Sequence, residues 1–188
     1  QTHIRLKGLR MHNLDGLGYR DKTVVVTGGA SGMGEQVACI LGELGARVHI
    51  VDIQQPKVPH ASFLQCDLSD FDQVRATAAQ LKAVAPIDFV FPCAGLPPHI
   101  KGPLYCMRVN YIGTRLFVEE LLPSVRDGGG IALISSDAAM GWQANTAQSL
   151  EMLAISDPDA AYAWCEADPD KRVRDGYTSS KEMLVVWV

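Results

Sequence analysis

The sequence predicts an α/β fold with a doubly wound parallel sheet. Three observations carry this: short β-branched runs alternate with segments of helical periodicity, a glycine-rich turn joins the first run to the first helix, and an aspartate closes the second run. Parallel sheets are covered by helices on both faces, so their strands read as continuous apolar runs.

Thr23-Val-Val-Val-Thr27 is such a run and reads as a buried strand. Met33 to Leu44 follows with Val37, Ile40, Leu41 and Leu44 at helical spacing, and Gly45 stops it as a C-cap. Arg47 to Asp52 is a second strand and Ser62 to Leu64 a brief third. Asp70 to Ala85 is a helix with Asp70 or Asp72 near its cap, and Ile87 to Phe91 a fourth strand. A longer helical pattern runs from Leu104 to Val125, with Val109, Ile112, Leu116 and Val118 among its apolar positions. Gly128 to Gly130 ends it, and Ile131 to Ile134 is a fifth strand. Residues 137–176 break the rhythm as an acidic insertion of two short helices, with Asp157-Pro158 as a cap and first-turn pair. Residues 1–21 carry little periodicity and read as an N-terminal extension to one domain over 22–188.

At 188 residues the chain can bury a core without metal or disulfide staples. Its 47% apolar and 20% charged residues and net charge of −4 describe an ordinary globular protein. No basic block points to nucleic acid, and no apolar run approaches the roughly 20 residues needed to cross a bilayer. A cytoplasmic setting is the expectation. The five cysteines lack any Cys-x-x-Cys pair and the five histidines lack ligand spacing, so no metal is assigned.

Directly after the first strand comes Thr27-Gly-Gly-Ala-Ser-Gly-Met-Gly34. Glycines there allow a tight turn and close backbone approach to a pyrophosphate, and the following helix directs unpaired N–H groups at the anion. Asp52 stands where a carboxylate accepts hydrogen bonds from the adenosine ribose and meets a 2′-phosphate with like charge. No Arg or Lys lies in the glycine loop or directly after Asp52, so NAD is the expected cofactor. Asp67 can either accept from the adenine amino group or cap the next helix. At the other end of the chain, Tyr177 and Lys181 stand four residues apart, on one face of a helix. A free phenol ionises near pH ~10, and a neighbouring ammonium favours its anion, which suits a general acid/base.

The glycine loop, Asp52, Ala94-Gly95, Asn110, Ser135-Ser136 and Tyr177-x-x-x-Lys181 stand in the order found in short-chain dehydrogenases/reductases, which the chain resembles from Lys22 onward. The resemblance implies a Rossmann-type fold, hydride transfer between a nicotinamide dinucleotide and a secondary alcohol or ketone, and a homodimer or homotetramer. It implies that Tyr177 exchanges the substrate proton, Lys181 binds the nicotinamide ribose, Ser136 hydrogen-bonds the carbonyl oxygen and Asn110 holds a water of a proton relay. Ser135 is the rival to Ser136, because a slip of one residue at a strand end reverses its direction. Cofactor contacts are implied at Gly28, Ser31, Gly32, Met33 and Gly34, at Asp52 and Ile53, at Asp67 and Leu68, and at Cys93, Ala94 and Gly95, besides Tyr177 and Lys181.

Pro92-Cys-Ala-Gly95 replaces the family's Asn-Asn-Ala-Gly, leaving mainly backbone for cofactor contact. Ser136 and Tyr177 lie 41 positions apart. This long insertion and Cys-Ala-Gly-Leu resemble the bacterial 3α-hydroxysteroid dehydrogenase/carbonyl reductase branch, which implies a hydrophobic alcohol or ketone, hydroxysteroids among them. The chain ends at Val188, where family members continue through further strands and helices, so the expectation is an incomplete sequence. The alternative function is a non-catalytic dinucleotide-binding regulator or an inactive fragment.

Overall fold

A computed structural model describes residues 17–97 and 99–188. The first 16 residues of the segment read as an extension lie outside these. Among the described residues, five parallel strands form one sheet: β1 (Thr23–Thr27), β2 (Arg47–Asp52), β3 (Ser62–Gln65), β4 (Ile87–Pro92) and β5 (Val125–Ile131), in the order β3-β2-β1-β4-β5. The chain winds outward from β1 to β3 and then crosses to β4. Its switch point therefore lies between β1 and β4, and the crevice for a ligand opens at the carboxyl ends of those strands.

Alternation along β1 divides the core. Val24 and Val26 pack with Ala38 and Leu41 of α1 (Gly32–Glu43) and with Val48 and Ile50 of β2. Val25 faces the opposite, larger cluster, built with α2 (Phe71–Leu81) and the long helical passage after β4. Each such side chain contributes roughly 1.5–3 kcal/mol by leaving water. Tyr19, at the end of the segment read as an extension, packs edge-on against Phe89 with ring centroids 5.2 Å apart.

The local signals hold. The helix expected over 33–44 ends with Gly45 at φ +85, as a C-terminal glycine should. Asp70 caps α2 by accepting from Gln73 N. Asp157 caps α6 (Pro158–Ala167) in the same way, with Pro158 at its first position.

The passage read as one helix over 104–125 is α3 (Pro103–Met107), a π-helical stretch (Arg108–Gly113) and α4 (Thr114–Leu121), followed by a 3-10 turn through Pro123. The fifth strand is displaced from the apolar run 131–134: it begins at Val125 and ends at Ile131, and residues 132–134 lie beyond it. The triple glycine that reads as a breaker lies inside β5, where a side chain at Gly129 would meet the Asp88 carbonyl oxygen at 2.7 Å. The register shifts between Ile87 and Phe89 at that close approach. Residues 137–176 hold a 3-10 helix (Asp137–Asn145), α5 (Thr146–Leu153), α6 and α7 (Pro169–Arg172), more helices than the two expected. The last element, α8, is Tyr177–Trp187. Among the described residues, no helix is long and apolar enough to cross a membrane.

Asp88 joins the strand ends electrostatically. It accepts from Thr23 N at 2.8 Å, Lys22 Nζ at 3.1 Å and Arg126 Nη1 at 3.0 Å. Burial pulls its pKa up, but the Thr23 N–H and the two cations outweigh burial and hold the carboxyl below the ordinary aspartate value. A depressed folded-state pKa gives stability that is fully present above the unfolded value of about 4 and is lost as pH falls through the folded value. Asp88→Asn is thus expected to flatten the acid limb of stability against pH, read by denaturant unfolding between pH 7 and 3. A limb parallel to that of the wild type would refute the assignment.

Candidate active site and dinucleotide cleft

The turn after β1 is shaped by contacts that only glycine permits. Gly28 has φ +70, and a Cβ there would sit 2.7 Å from Ala94 N and Cα. A Cβ on Gly34 would lie 2.2 Å from the Gly28 carbonyl oxygen. Helix α1 therefore starts directly against the turn. Ser31, its N-cap residue, makes no side-chain capping bond, so the positive helix end is open to an anion.

Beside it opens a cleft of about 330 Å3. From the turn it is lined by Gly28, Ser31, Gly32, Met33 and Gly34; from the end of β2 by Asp52 and Ile53; after β3 by Asp67 and Leu68; after β4 by Cys93, Ala94 and Gly95. Twelve positions implied as cofactor contacts are thus brought to one cavity, and a glycine cradle with a helix N-terminus and a rim carboxylate fits a dinucleotide. Val51, Gln54, Cys66, Leu96, Tyr105 and Val109 line it as well, without having been singled out as contacts. Val109 and Tyr105 lie one helical turn apart just before Asn110, a spacing that could have revealed them.

The Asp52 carboxylate is fixed in place. Its Oδ2 accepts from Ala30 N and its Oδ1 from Gln54 N, both at 2.9 Å. Asp67 does not cap α2, a task Asp70 performs; its Oδ1 accepts from Ser69 N at 2.8 Å and from Ser69 Oγ at 2.7 Å. Burial pushes the Cys93 thiol up to about 11, with Lys181 pulling the other way, so it stands in the cleft as a neutral group at pH 7.

Lys181 is 6% exposed, and its Nζ donates to Ile134 O at 2.7 Å. A methyl group on Gly95 would lie 4.0 Å from this Nζ, which places the ammonium beside the β4 end of the cleft. It is 5.7 Å from the centroid of the Tyr177 ring. Burial lowers the Lys181 pKa, opposed by Cys106 and Cys93. Asn110, buried in the π-helical stretch, accepts from Leu96 N at 2.7 Å and donates to Leu96 O at 2.9 Å, with a further bond to Cys106 Sγ at 3.2 Å. Its amide thus secures the chain that leaves β4.

The two serines differ. Ser135 Oγ donates to the Lys181 carbonyl at 3.1 Å, whereas Ser136 Oγ donates to Asp137 Oδ1 at 2.9 Å and accepts from Ala138 N at 3.2 Å. Neither hydroxyl bonds to the half-buried Tyr177. Among the described residues there is no cluster of three or more metal-ligating side chains.

A short chain dehydrogenase family model matches residues 22–148. Coniferyl-alcohol dehydrogenase of Pseudomonas sp. (strain HR199 / DSM 7063) is 31% identical over 167 residues, which are 89% of this chain and 64% of that protein. Short-chain dehydrogenase reductase 5 of Arabidopsis thaliana is 35% identical over 126 residues, 57% of this chain and 49% of its own length. Among solved structures, the 3-alpha-hydroxysteroid dehydrogenase from Pseudomonas sp. B-0831 complexed with NADH shares the fold. Its TM-score is 0.68 at 23% identity, over 87% of this chain and 63% of that one. The chain thus spans less than two thirds of the length of these relatives.

Proposed function

This chain belongs to the short-chain dehydrogenase family, and from that premise we propose that the protein is an oxidoreductase moving a hydride between NAD(H) and a hydrophobic secondary alcohol or its ketone, hydroxysteroids among them. One observation carries the reading: twelve contacts implied for a dinucleotide line a single cleft, and the buried Lys181 ammonium stands beside its β4 end. The names of the Pseudomonas relatives, one acting on coniferyl alcohol and one on a 3α-hydroxysteroid, support a hydrophobic alcohol as the substrate class. The same reading includes a cytoplasmic homodimer or homotetramer, as the family resemblance implies.

The glycine turn and the start of α1 would hold the pyrophosphate, Asp52 the adenosine ribose, and Lys181 the nicotinamide ribose. Bound NAD supplies the hydride acceptor. The protein has to orient the alcohol, exchange one proton and polarise one oxygen. Tyr177 takes the hydroxyl proton as the alcohol becomes a carbonyl, and returns it in the reverse direction. Ser136 donates to the reacting oxygen, for which its hydroxyl must turn away from Asp137. Lys181 keeps one N–H on Ile134 O and has two left for the ribose and its surroundings.

Asp52 also decides between the two dinucleotides. Both its oxygens are anchored by backbone N–H groups, and among the described residues no Lys or Arg lines the cleft beside Asp52 to neutralise a 2′-phosphate. NAD is therefore expected to bind at least tenfold more tightly than NADP, about 1.4 kcal/mol, with Asp52→Asn narrowing the gap. Fluorescence titration with NADH and NADPH measures both; equal affinities would sink the role given to Asp52.

A further inference from the structure

The two ends of the cleft differ chemically. Sheet order puts Asp67 and Leu68, after β3, at the outer end, and Cys93 to Gly95, near Lys181, at the other. Tyr105 spans from the chain after β4 to this outer end. Its Oη lies 3.1 Å from Ser69 Oγ and 3.5 Å from Asp67 Oδ2. Lys101 Nζ stands 3.2 Å from the same Oη and 4.4 Å from the ring centroid.

Counting protons fixes the direction of these bonds. The Ser69 hydroxyl has one proton, and its 2.7 Å contact to Asp67 Oδ1 takes it. Lys101 can only donate, so Tyr105 Oη accepts from it and donates its own proton to Asp67 Oδ2. Among the described residues Asp67 Oδ2 accepts this one long bond at 3.5 Å, and since a carboxylate oxygen can accept two, it keeps acceptor capacity where Asp67 lines the cleft. An aromatic ring held by an ammonium, a carboxylate oxygen with an acceptor site left, and the apolar Leu68 and Val109 together suit a flat heterocycle carrying an exocyclic N–H donor.

Resting on the dinucleotide reading above, we propose that Tyr105 is the aromatic wall of the adenine end of the cleft, held in position by Lys101 and Asp67. Contact with a base through the ring is independent of the chemistry at Tyr177, so it is tested by binding alone. Adenosine monophosphate and nicotinamide mononucleotide probe the two ends separately by calorimetry, with melting temperatures as the check on folding. Tyr105→Ala is expected to weaken adenosine monophosphate about tenfold and leave nicotinamide mononucleotide unchanged, while Tyr105→Phe stays within about threefold of wild type for both. Unchanged adenosine monophosphate affinity in Tyr105→Ala overturns the inference and leaves the dinucleotide reading standing. Equal losses for both probes, or a loss in Tyr105→Phe as large as in Tyr105→Ala, overturn it too. If the wild type binds neither adenosine monophosphate nor NAD, the dinucleotide reading itself falls, and this inference with it.

Discussion

Tyr177→Phe is expected to lower turnover of a secondary alcohol about 10³-fold while leaving NADH affinity within a few fold of wild type. The substitution removes one oxygen and keeps the ring that stands 5.7 Å from Lys181 Nζ. The start of α8 does not depend on that oxygen, because Asp175 Oδ1 accepts from Thr178 N at 2.7 Å and Asp175 Oδ2 from Thr178 Oγ1 at 2.6 Å. Lys181 likewise keeps its bond to Ile134 O. The loss should therefore fall on the chemical step. Steady-state kinetics together with NADH fluorescence titration separate the two quantities. Normal turnover in Tyr177→Phe would end the proton-transfer role, whereas lost NADH binding would show that the phenol supports the cleft instead.

The second large effect concerns Glu182, which the sequence did not single out. It is 2% exposed, one residue beyond Lys181, and it ties α8 to the insertion. Arg174 Nη2 forms an ion pair with Glu182 Oε2, and Asn145 Nδ2 lies 3.1 and 3.2 Å from its two oxygens. Arg174 also donates from Nε to the buried Ser179 Oγ at 2.8 Å, and its own backbone is held at φ +53, a conformation uncommon for a residue with a side chain. Glu182 is the buried member of this pair, whereas the Arg174 side chain is 33% exposed, so the charge left by truncation stays partly hydrated. Glu182→Ala is thus expected to cost about 1–3 kcal/mol of folding stability, chiefly by leaving the Asn145 and Arg174 donors without their acceptor. Glu182→Gln should cost less, since it keeps an acceptor for Asn145 but faces Arg174 with an N–H donor. Denaturant unfolding of both variants measures this; a loss under about 1 kcal/mol for Glu182→Ala means the network contributes little.

Much of the site was legible because its signals are local. A glycine turn between strand and helix, an aspartate at a strand end, a cap three residues before its N–H partner, and a Tyr/Lys pair at i and i+4 each act over a few residues. Their chemistry is therefore written in short sequence. The fifth strand shows the limit. Gly128 to Gly130 have poor strand propensity, yet they lie in β5, and at Gly129 the backbone passes so close to the Asp88 carbonyl that a side chain cannot fit. Ser135 and Ser136 could not be told apart from sequence either. Their different partners, the Lys181 carbonyl and Asp137, follow from how the chain enters the 3-10 helix.

What the sequence determined by itself is the alternation of strands and helices, the glycine cradle, and the family to which those motifs belong. These rest on backbone conformation and side-chain spacing, which neighbouring residues decide. Only the tertiary structure decided that Asn110 grips Leu96, that Lys181 is anchored by Ile134, and that Glu182 binds the insertion to α8. The reason is physical. Asn145 and Glu182 are 37 residues apart, and Lys181 and Ile134 are 47. Such partners meet only after the parallel sheet has set the positions of its strand ends, and a backbone carbonyl as a partner leaves no mark on residue identity.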